Sequence, residues 1–399
     1  MTEYTGRLEL TWTNKAMRLW SGDDGGYEWV HPNDPRITEV RVPEEIERVG
    51  EVDESTPNLL ISGDSLQALV ALHRIPELAA RYRGKVRLVY IDPPFNTGQA
   101  FAQYEDNLEH SVWLSMLRDR LVEIRRLLAP NGSVWVHLDD AEVHRCRAVM
   151  DEVFGASAFV TSIAWQKRTS RENRAAFSSM HDYILVYAAG GPRWFRDHRN
   201  RLPRGAGAFT NPDNDPRGPW TSVPFTAQGY RANQMYKITT PTGIVHEPPP
   251  GRCWARTEEG YRELLAEGRI YFPKNGNGRP RVKNYASEDA GLVPETLWLA
   301  SDVGTNDDAK RHIMSLFPSQ EPFATPKPEQ LLERIIGIAT NEGDIVLDCF
   351  AGSGTTAAVA HRWGAAGLPS SENMRPWKPS PRPDSGRSWR GKIQAGSPP

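Results

Sequence analysis

From Asn58 onward, short apolar runs alternate with stretches whose apolar residues recur at helical spacing. LLIS (Leu59 to Ser62) reads as a strand stopped by Gly63-Asp64, and SLQALVALHRI continues as a helix. KVRLVYI (Lys85 to Ile91) is a β-branched run ended by Asp92-Pro93-Pro94, because proline cannot continue a hydrogen-bonded ladder. Trp113 to Ala129 carries apolar residues at i, i+3 and i+4 and predicts an amphipathic helix, punctuated by Asn131-Gly132. SVWVHL (Ser133 to Leu138) is the next strand. A helix follows, with Asp140 as its expected cap and Gly155 as its stop. FVTSIAW (Phe159 to Trp165) and DYILVYA (Asp182 to Ala188) are further strands. The pattern returns late in the chain with a helix over Pro328 to Thr340, a strand over Asp344 to Phe350, a glycine turn and the helix TTAAVAHRWG. Strands alternating with helices predict an α/β domain with a mixed, mostly parallel sheet covered on both faces.

Between residues 190 and 294 the periodicity fails, and Pro, Gly, Arg, Asn and aromatic residues dominate, as expected of an inserted module. The first 56 residues read as a small N-terminal extension. The last 32, from Leu368, hold seven prolines and six basic residues and almost nothing aliphatic, which predicts disorder. Charge sharpens the division. Residues 1–160 carry 17 Lys and Arg against 26 Asp and Glu, residues 161–290 carry 20 against 12, and residues 291–399 carry 11 against 12. The net charge of −2 thus conceals a basic middle, consistent either with a polyanion-binding segment or with an arginine-rich surface. Three widely spaced cysteines exclude a disulfide framework and a cysteine-only zinc site. The N-terminus lacks the pattern of a signal peptide and no stretch approaches a membrane span, so a reducing cytoplasmic setting is expected.

Two motifs carry chemistry. Asp92-Pro93-Pro94-Phe95-Asn96 follows a strand, and ligands of open α/β sheets sit at the carboxyl ends of strands. A carboxylate and a rigid proline carbonyl can accept two hydrogen bonds from one planar amino group, while Phe95 stacks on the ring beside it. The plain alternative is a strand-ending turn. The second motif, Asp348-Cys349-Phe350-Ala351-Gly352-Ser353-Gly354-Thr355-Thr356, joins a strand to a helix, and its glycines allow a tight turn and close approach of a ligand to the backbone. It satisfies a dinucleotide-binding pattern, and equally suits a nucleoside bearing an amino-acid group. No Lys follows the second glycine, so it is not a Walker loop.

Taken together, DPPF after a strand and D-x-F-A-G-S-G-T-T resemble the amino-methyltransferases of DNA. The catalytic motif precedes the cofactor motif, with a large insertion between them, and that order resembles the circularly permuted beta-class of type III modification subunits and solitary adenine methyltransferases. ELTWTNKA (Glu9 to Ala16), NLLISGDSLQAL (Asn58 to Leu69), HSVWLSMLRDRL (His110 to Leu121), HDYILVYA (His181 to Ala188) and ATPKPEQLLERII (Ala324 to Ile336) extend the resemblance over roughly residues 5–367. It implies a Rossmann-like, seven-stranded-type methyltransferase sheet. The expected organisation is an extension (1–56), a catalytic half (57–189), a target-recognition insertion (190–300), a cofactor-binding half (301–367) and a disordered tail (368–399).

The resemblance implies S-adenosylmethionine as methyl donor, no metal, and double-stranded DNA as partner, with a restriction subunit or a second copy as further candidates. It assigns Asp92 and Pro93 to the target amino group, within a rigid turn completed by Pro94, and Phe95 to stacking. The acid at Asp92, where cytosine-N4 enzymes more often have Ser, favours adenine N6; Phe95 replaces the usual Tyr. Asp348, Phe350, Gly352, Gly354 and Thr355 match the cofactor turn. Asp64 matches an acid that meets the cofactor adenine, or is simply a helix cap. Lys327, before Pro328, matches the segment packed around the methionine end, or simply precedes a helix start. The rivals are cytosine-N4 methylation, a catalytically dead DNA-binding remnant and, ranked lowest, a nicotinamide dehydrogenase.

The resemblance ends after TTAAVAHRWG. The family continues there into an apolar strand ending in a ribose-binding acid, whereas this chain reads AAGLPSSEN. Glu372, 20 residues after Gly352, stands where that acid is expected, without an apolar run to anchor it. The expectation is an incomplete sheet at its C-terminal part, from truncation or a frame change.

Overall fold

The computed structural model describes residues 9–21, 26–48, 58–97, 108–205, 207–319, 323, 325–365 and 392–396. The chain divides into two compact units, residues 1–200 with 294–399, and residues 201–293.

In chain order the elements are β1 (Arg18–Ser21), β2 (Tyr27–Val30), α1 (Pro35–Thr38), β3 (Leu59–Ser62), α2 (Ser65–Arg74), α3 (Pro76–Tyr82), β4 (Val86–Ile91), α4 (His110–Leu127), β5 (Leu128–Leu138), α5 (Val143–Phe154), β6 (Phe159–Gln166), β7 (His181–Ala188) and α6 (Gly191–His198). The second unit contributes β8 (Trp220–Pro224), β9 (Thr226–Gln228), β10 (Ile238–Thr239), β11 (Val245–His246), β12 (Arg252–Trp254), α7 (Glu258–Ala266), β13 (Ile270–Tyr271) and β14 (Arg281–Tyr285). The first unit resumes with β15 (Leu297–Trp298), α8 (Ala300–Val303), α9 (Asn306–Leu316), α10 (Glu329–Ala339), β16 (Ile345–Asp348), α11 (Thr355–Ala365) and β17 (Lys392–Gly396).

The first unit is built on an eight-stranded mixed sheet in the order β15-β6-β7-β5-β4-β16-β17-β3. The pairs β4/β5, β4/β16 and β15/β6 are parallel, while β7 runs antiparallel to both β5 and β6. All six residues of β4 are buried, as expected of a central strand covered on both faces. Helices α2, α4 and α5 pack their apolar sides with β4 and β5 into one core that includes Leu69, Leu72, Trp113, Leu117, Leu121, Val136 and Met150.

Four details differ from the reading of the sequence. The tail is not wholly irregular: β17 runs between β16 and β3, antiparallel to both, with Leu347 opposite Ala395 and Ile61 opposite Ile393. It occupies the sheet position that an incomplete domain would leave open, where the facing edges of β3 and β16 would otherwise hold unpaired backbone groups. Its antiparallel direction distinguishes it from a crossover strand fed by α11. Glu372 lies outside the described residues.

The expected turn at Asn131-Gly132 is part of β5, whose register against β4 shifts between Val86 and Leu88. A Cβ on Gly132 would stand 2.7 Å from the Val86 carbonyl oxygen, so a side chain is excluded there. Helix α5 is preceded by Glu142, not Asp140, and its cap makes no side-chain hydrogen bond.

The N-terminal segment is also no loose appendage. Leu19 joins the main core, Lys15 pairs with Glu152 at 2.9 Å, Arg18 pairs with Asp119, and the Trp12 indole donates to Ser115 at 2.7 Å.

Unit two has a core of its own around Phe225, Ile238, Trp254, Tyr261 and Ile270. Its strands are two to five residues long, which explains the missing periodicity. Helix α6 precedes this unit and borders β6 and β7, and β15 pairs with β6, so both lie within the first unit. No helix among the described residues is long and apolar enough to cross a membrane.

Candidate active site

Strands β4 and β16 are parallel neighbours with Val89 opposite Leu347, so Asp92 and Asp348 emerge at the same, carboxyl end of the sheet. This register brings together two motifs that are 256 positions apart.

At the end of β4, Asp92 Oδ2 accepts a hydrogen bond from Lys327 Nζ at 2.6 Å. Its other oxygen, Oδ1, is buried and meets no hydrogen-bond partner among the described residues. Lys327 comes from the segment leading into α10 and is itself buried, with its ammonium 5.0 Å from the centre of the Phe95 ring. Pro93 and Pro94 are buried, and the Pro94 carbonyl accepts the Trp113 indole N–H at 2.8 Å. Asn96 adopts a left-handed backbone, with φ 58°. Its amide donates to Glu142 at 2.8 Å and its carbonyl accepts the Leu108 N–H at 2.8 Å. Fully buried Glu142 also meets His110, so one carboxylate fixes the far end of the turn through two partners.

At the end of β16, Asp348 is spent on the turn itself. One oxygen accepts the Phe350 N–H at 2.9 Å and the other accepts the Thr356 hydroxyl at 2.7 Å. Burial pushes the Asp348 carboxyl up to about 7, against these two hydrogen bonds, and the charge of Asp92 adds to the rise. Gly352 (φ 51°) and Gly354 (φ 83°) make the turn. A Cβ on Gly352 would come within 3.3 Å of Phe323, whereas around Gly354 the space is open. Thr355 begins α11, its hydroxyl 2.9 Å from that of Ser353. Cys349 is wholly buried, and burial pushes its thiol up, as suits a packing residue rather than a nucleophile.

Asp64 is a helix cap and something more. One oxygen accepts the Gln67 N–H at 3.1 Å, and the other pairs with Arg120 at 2.9 Å. The Arg120 guanidinium lies 6.0 Å from the centre of the Phe350 ring, which links Asp64 to the glycine turn.

Beneath Phe95 lies a polar network that the sequence reading missed. His137, fully buried at the end of β5, meets the Tyr90 hydroxyl at 2.8 Å through Nδ1 and Asp182 at 3.3 Å through Nε2. Asp182 in turn accepts from Lys167 at 2.6 Å. The His137 and Phe95 rings are 5.8 Å apart. Burial lowers the His137 pKa. Burial acts to raise that of Asp182, but the His137 hydrogen bond and the nearby lysines outweigh it and hold the carboxyl low. The available signal was a polar residue inside an otherwise apolar run: Tyr90 in KVRLVYI and His137 in SVWVHL. Asp182 could not be found that way, because only the antiparallel course of β7 brings its first residues to the carboxyl end of β5.

Among the described residues no group of three or more His, Cys, Asp or Glu side chains could hold a metal ion.

The chain is 34% identical over 341 residues to the Mod subunit of the type III restriction-modification enzyme StyLTI of Salmonella typhimurium, covering 76% of this chain and 50% of that protein. It is 30% identical over 283 residues to the type II methyltransferase M.EcaI of Enterobacter cloacae, covering 69% and 59%. Against the EcoP15I Mod subunit of Escherichia coli it is 26% identical over 384 residues, covering 77% and 56%. The chain thus spans between 50% and 59% of the length of these relatives. The family model described as DNA methylase matches residues 86–368, a span that includes both motif turns, and the chain belongs to the DNA methylase family.

Proposed function

We propose that this chain is a site-specific DNA methyltransferase that moves a methyl group from S-adenosylmethionine to N6 of an adenine flipped out of double-stranded DNA. The observation that carries this reading is the Asp92 carboxylate. It sits at the carboxyl end of a central strand, with one oxygen held by Lys327 and the other buried without a partner among the described residues. A buried acceptor left unpaired is costly, and an incoming amino group would satisfy it.

Asp92 Oδ1 and the Pro93 carbonyl would hold the adenine amino group, since the Pro94 carbonyl already serves Trp113. Phe95, backed by His137, would stack on the base. As the amino nitrogen formed its bond to the methyl carbon, the S–CH3 bond would break and a neutral thioether would leave. The positive charge gained by nitrogen would be stabilised by the two fixed oxygen acceptors without reorganisation, until a proton is lost to water. Taking the base out of the duplex costs a few kcal/mol, offset by stacking and by these hydrogen bonds.

S-adenosylmethionine supplies the methyl group on a positively charged sulfur. The glycine turn at Gly352 and Gly354, open around Gly354, with Thr355, Phe350 and Asp348 around it, suits its nucleoside and amino-acid ends, with Asp64 held toward Phe350 by Arg120. Lys327 offers the cation for its carboxylate. Residues 57–189 and 301–367 would then be the catalytic and cofactor halves, and the region within 190–300 would read DNA. The relatives' names, two type III Mod subunits and a type II methyltransferase, support this reading. The Mod names also support a restriction subunit as partner; a cytoplasmic setting and a homodimer are proposed from the family resemblance of the sequence alone.

The test is Asp92→Ala. Methyl transfer from labelled S-adenosylmethionine to duplex DNA should fall by at least about a hundredfold, while cofactor affinity by calorimetry stays within a few-fold of the parent. Retained transfer overturns the assignment of Asp92. Nucleoside analysis of the product should give N6-methyladenine, and N4-methylcytosine would overturn the choice of base.

A further inference from the structure

The second unit carries a surface that its own fold does not use. Residues 216–257 contain five Lys and Arg and a single acid, Glu247, which pairs with Lys237. Elsewhere in this unit several cations are neutralised: Arg204 pairs with Asp289, Arg217 and Lys283 with Asp215, Arg262 with Glu258, and Arg269 with Glu288. Like Arg201, Lys274 and Arg279, the residues Arg231, Arg252, Arg256 and Arg281 have no carboxylate partner among the described residues. Arg252 bonds to Thr226 and Arg281 to Ser222, while Arg231 reaches Gln234 and Cys253.

These four cations follow one course of chain. Arg281 on β14 is opposite Pro224 of β8, and Arg252 on β12 is opposite Gln228 of β9. Arg256 lies just past β12. Arg231 sits in the turn that leaves β9.

That turn is the unusual part. Gly229, with φ 89°, reverses the chain, its N–H donating to the Gly251 carbonyl at 3.1 Å. Residues 228–233, Gln-Gly-Tyr-Arg-Ala-Asn, are all exposed, and Tyr230 is 76% exposed. Among the described residues no ring, cation or hydrogen-bonding group meets the Tyr230 side chain. An aromatic ring held in water on a short, anchored turn, beside Arg231 and Asn233 in a unit whose Arg252, Arg256 and Arg281 have no carboxylate partner among the described residues, combines a stacking face, base-edge donors and acceptors, and phosphate contacts.

We infer that the turn at residues 228–234 is a base-reading element for double-stranded DNA. Tyr230 inserts at a base step of the recognition sequence and stacks on the base it exposes, Arg231 and Asn233 read base edges beside it, and Arg252, Arg256 and Arg281 hold phosphates. This rests on the methyltransferase reading above and names the residues that would give it sequence preference.

The experiment uses the full chain and a random-sequence duplex pool. Methylated positions are mapped with S-adenosylmethionine present to give the preferred site, and duplex affinity is measured by fluorescence anisotropy. Tyr230→Ala should lower kcat/KM for DNA by about tenfold or more, the scale of losing one base–aromatic stack, with cofactor affinity unchanged. Tyr230→Phe, which keeps the ring, should restore the parental value. Arg231→Ala should broaden the preference at one base pair. Parental rate and preference in both alanine variants overturn the proposal. If the parent binds the pool without methylating it, the catalytic reading fails alone, and the turn is then judged by affinity: unchanged binding in Tyr230→Ala and Arg231→Ala overturns it. A parent that does not bind duplex DNA overturns it as well.

Discussion

At Asp348 two physical effects oppose each other inside one side chain. The Phe350 N–H and the Thr356 hydroxyl favour a charged carboxylate, and complete burial disfavours it; burial prevails and the carboxyl rises to about 7. In the unfolded chain an Asp ionises near its ordinary value, so between about pH 4 and pH 7 the native state holds a proton that the unfolded state has lost. Stability from this residue is therefore present at low pH, falls as pH rises through that window, and levels off above it. Asp348→Asn removes the titration while keeping an acceptor for the Phe350 N–H. Thermal unfolding should show the variant gaining on the parent between pH 5 and pH 8, and a constant difference across that range would refute the account. Single residues also show where sequence gave only half an answer. Asp64 is both the cap of α2 and the partner of Arg120, so the two readings of it were never exclusive.

Among the elements, β5 is the one whose course was hardest to foresee. Asn-Gly signals a turn, yet residues 128–138 form one strand with a register shift, because the glycine lets β5 pass against the Val86 carbonyl. Gly132→Ala would press a methyl group into that backbone oxygen. A destabilisation of roughly 1–3 kcal/mol is expected from overpacking, read as a lower denaturation midpoint with an unchanged slope; parental stability would mean the register is not constrained there. The same strand positions His137 under Phe95, so its register matters to the site and not only to the sheet.

For the molecule as a whole, charge separates the two compact units more sharply than the net value suggests. Residues 201–293 hold 13 Lys and Arg against 9 Asp and Glu, within a chain whose net charge is −2. If Arg252, Arg256 and Arg281 contact phosphates, each releases condensed counterions. The logarithm of duplex affinity should then fall linearly against the logarithm of salt, and together these three account for a slope of about −3. Replacing Arg252 and Arg281 together with Gln should reduce that slope by about 2 without altering the preferred sequence. A slope indifferent to these residues would place the phosphate contacts elsewhere.

The amino-acid sequence by itself determined the α/β rhythm, the two motif turns and the break in patterning that precedes the second unit, because apolar periodicity, proline and glycine act locally. It also located Asp92, Phe95, Lys327, Asp348 and the glycine turn as the residues to watch. Only the tertiary structure decided their relations. The parallel register of β4 and β16 sets Asp92 beside the glycine turn, and the ion pair to Lys327 spans 235 positions. Asp182 reaches His137 because β7 runs antiparallel, and β17 lies between two strands that no local signal connects to it. Such pairings depend on backbone hydrogen bonds between distant segments, and those bonds leave no period in the sequence.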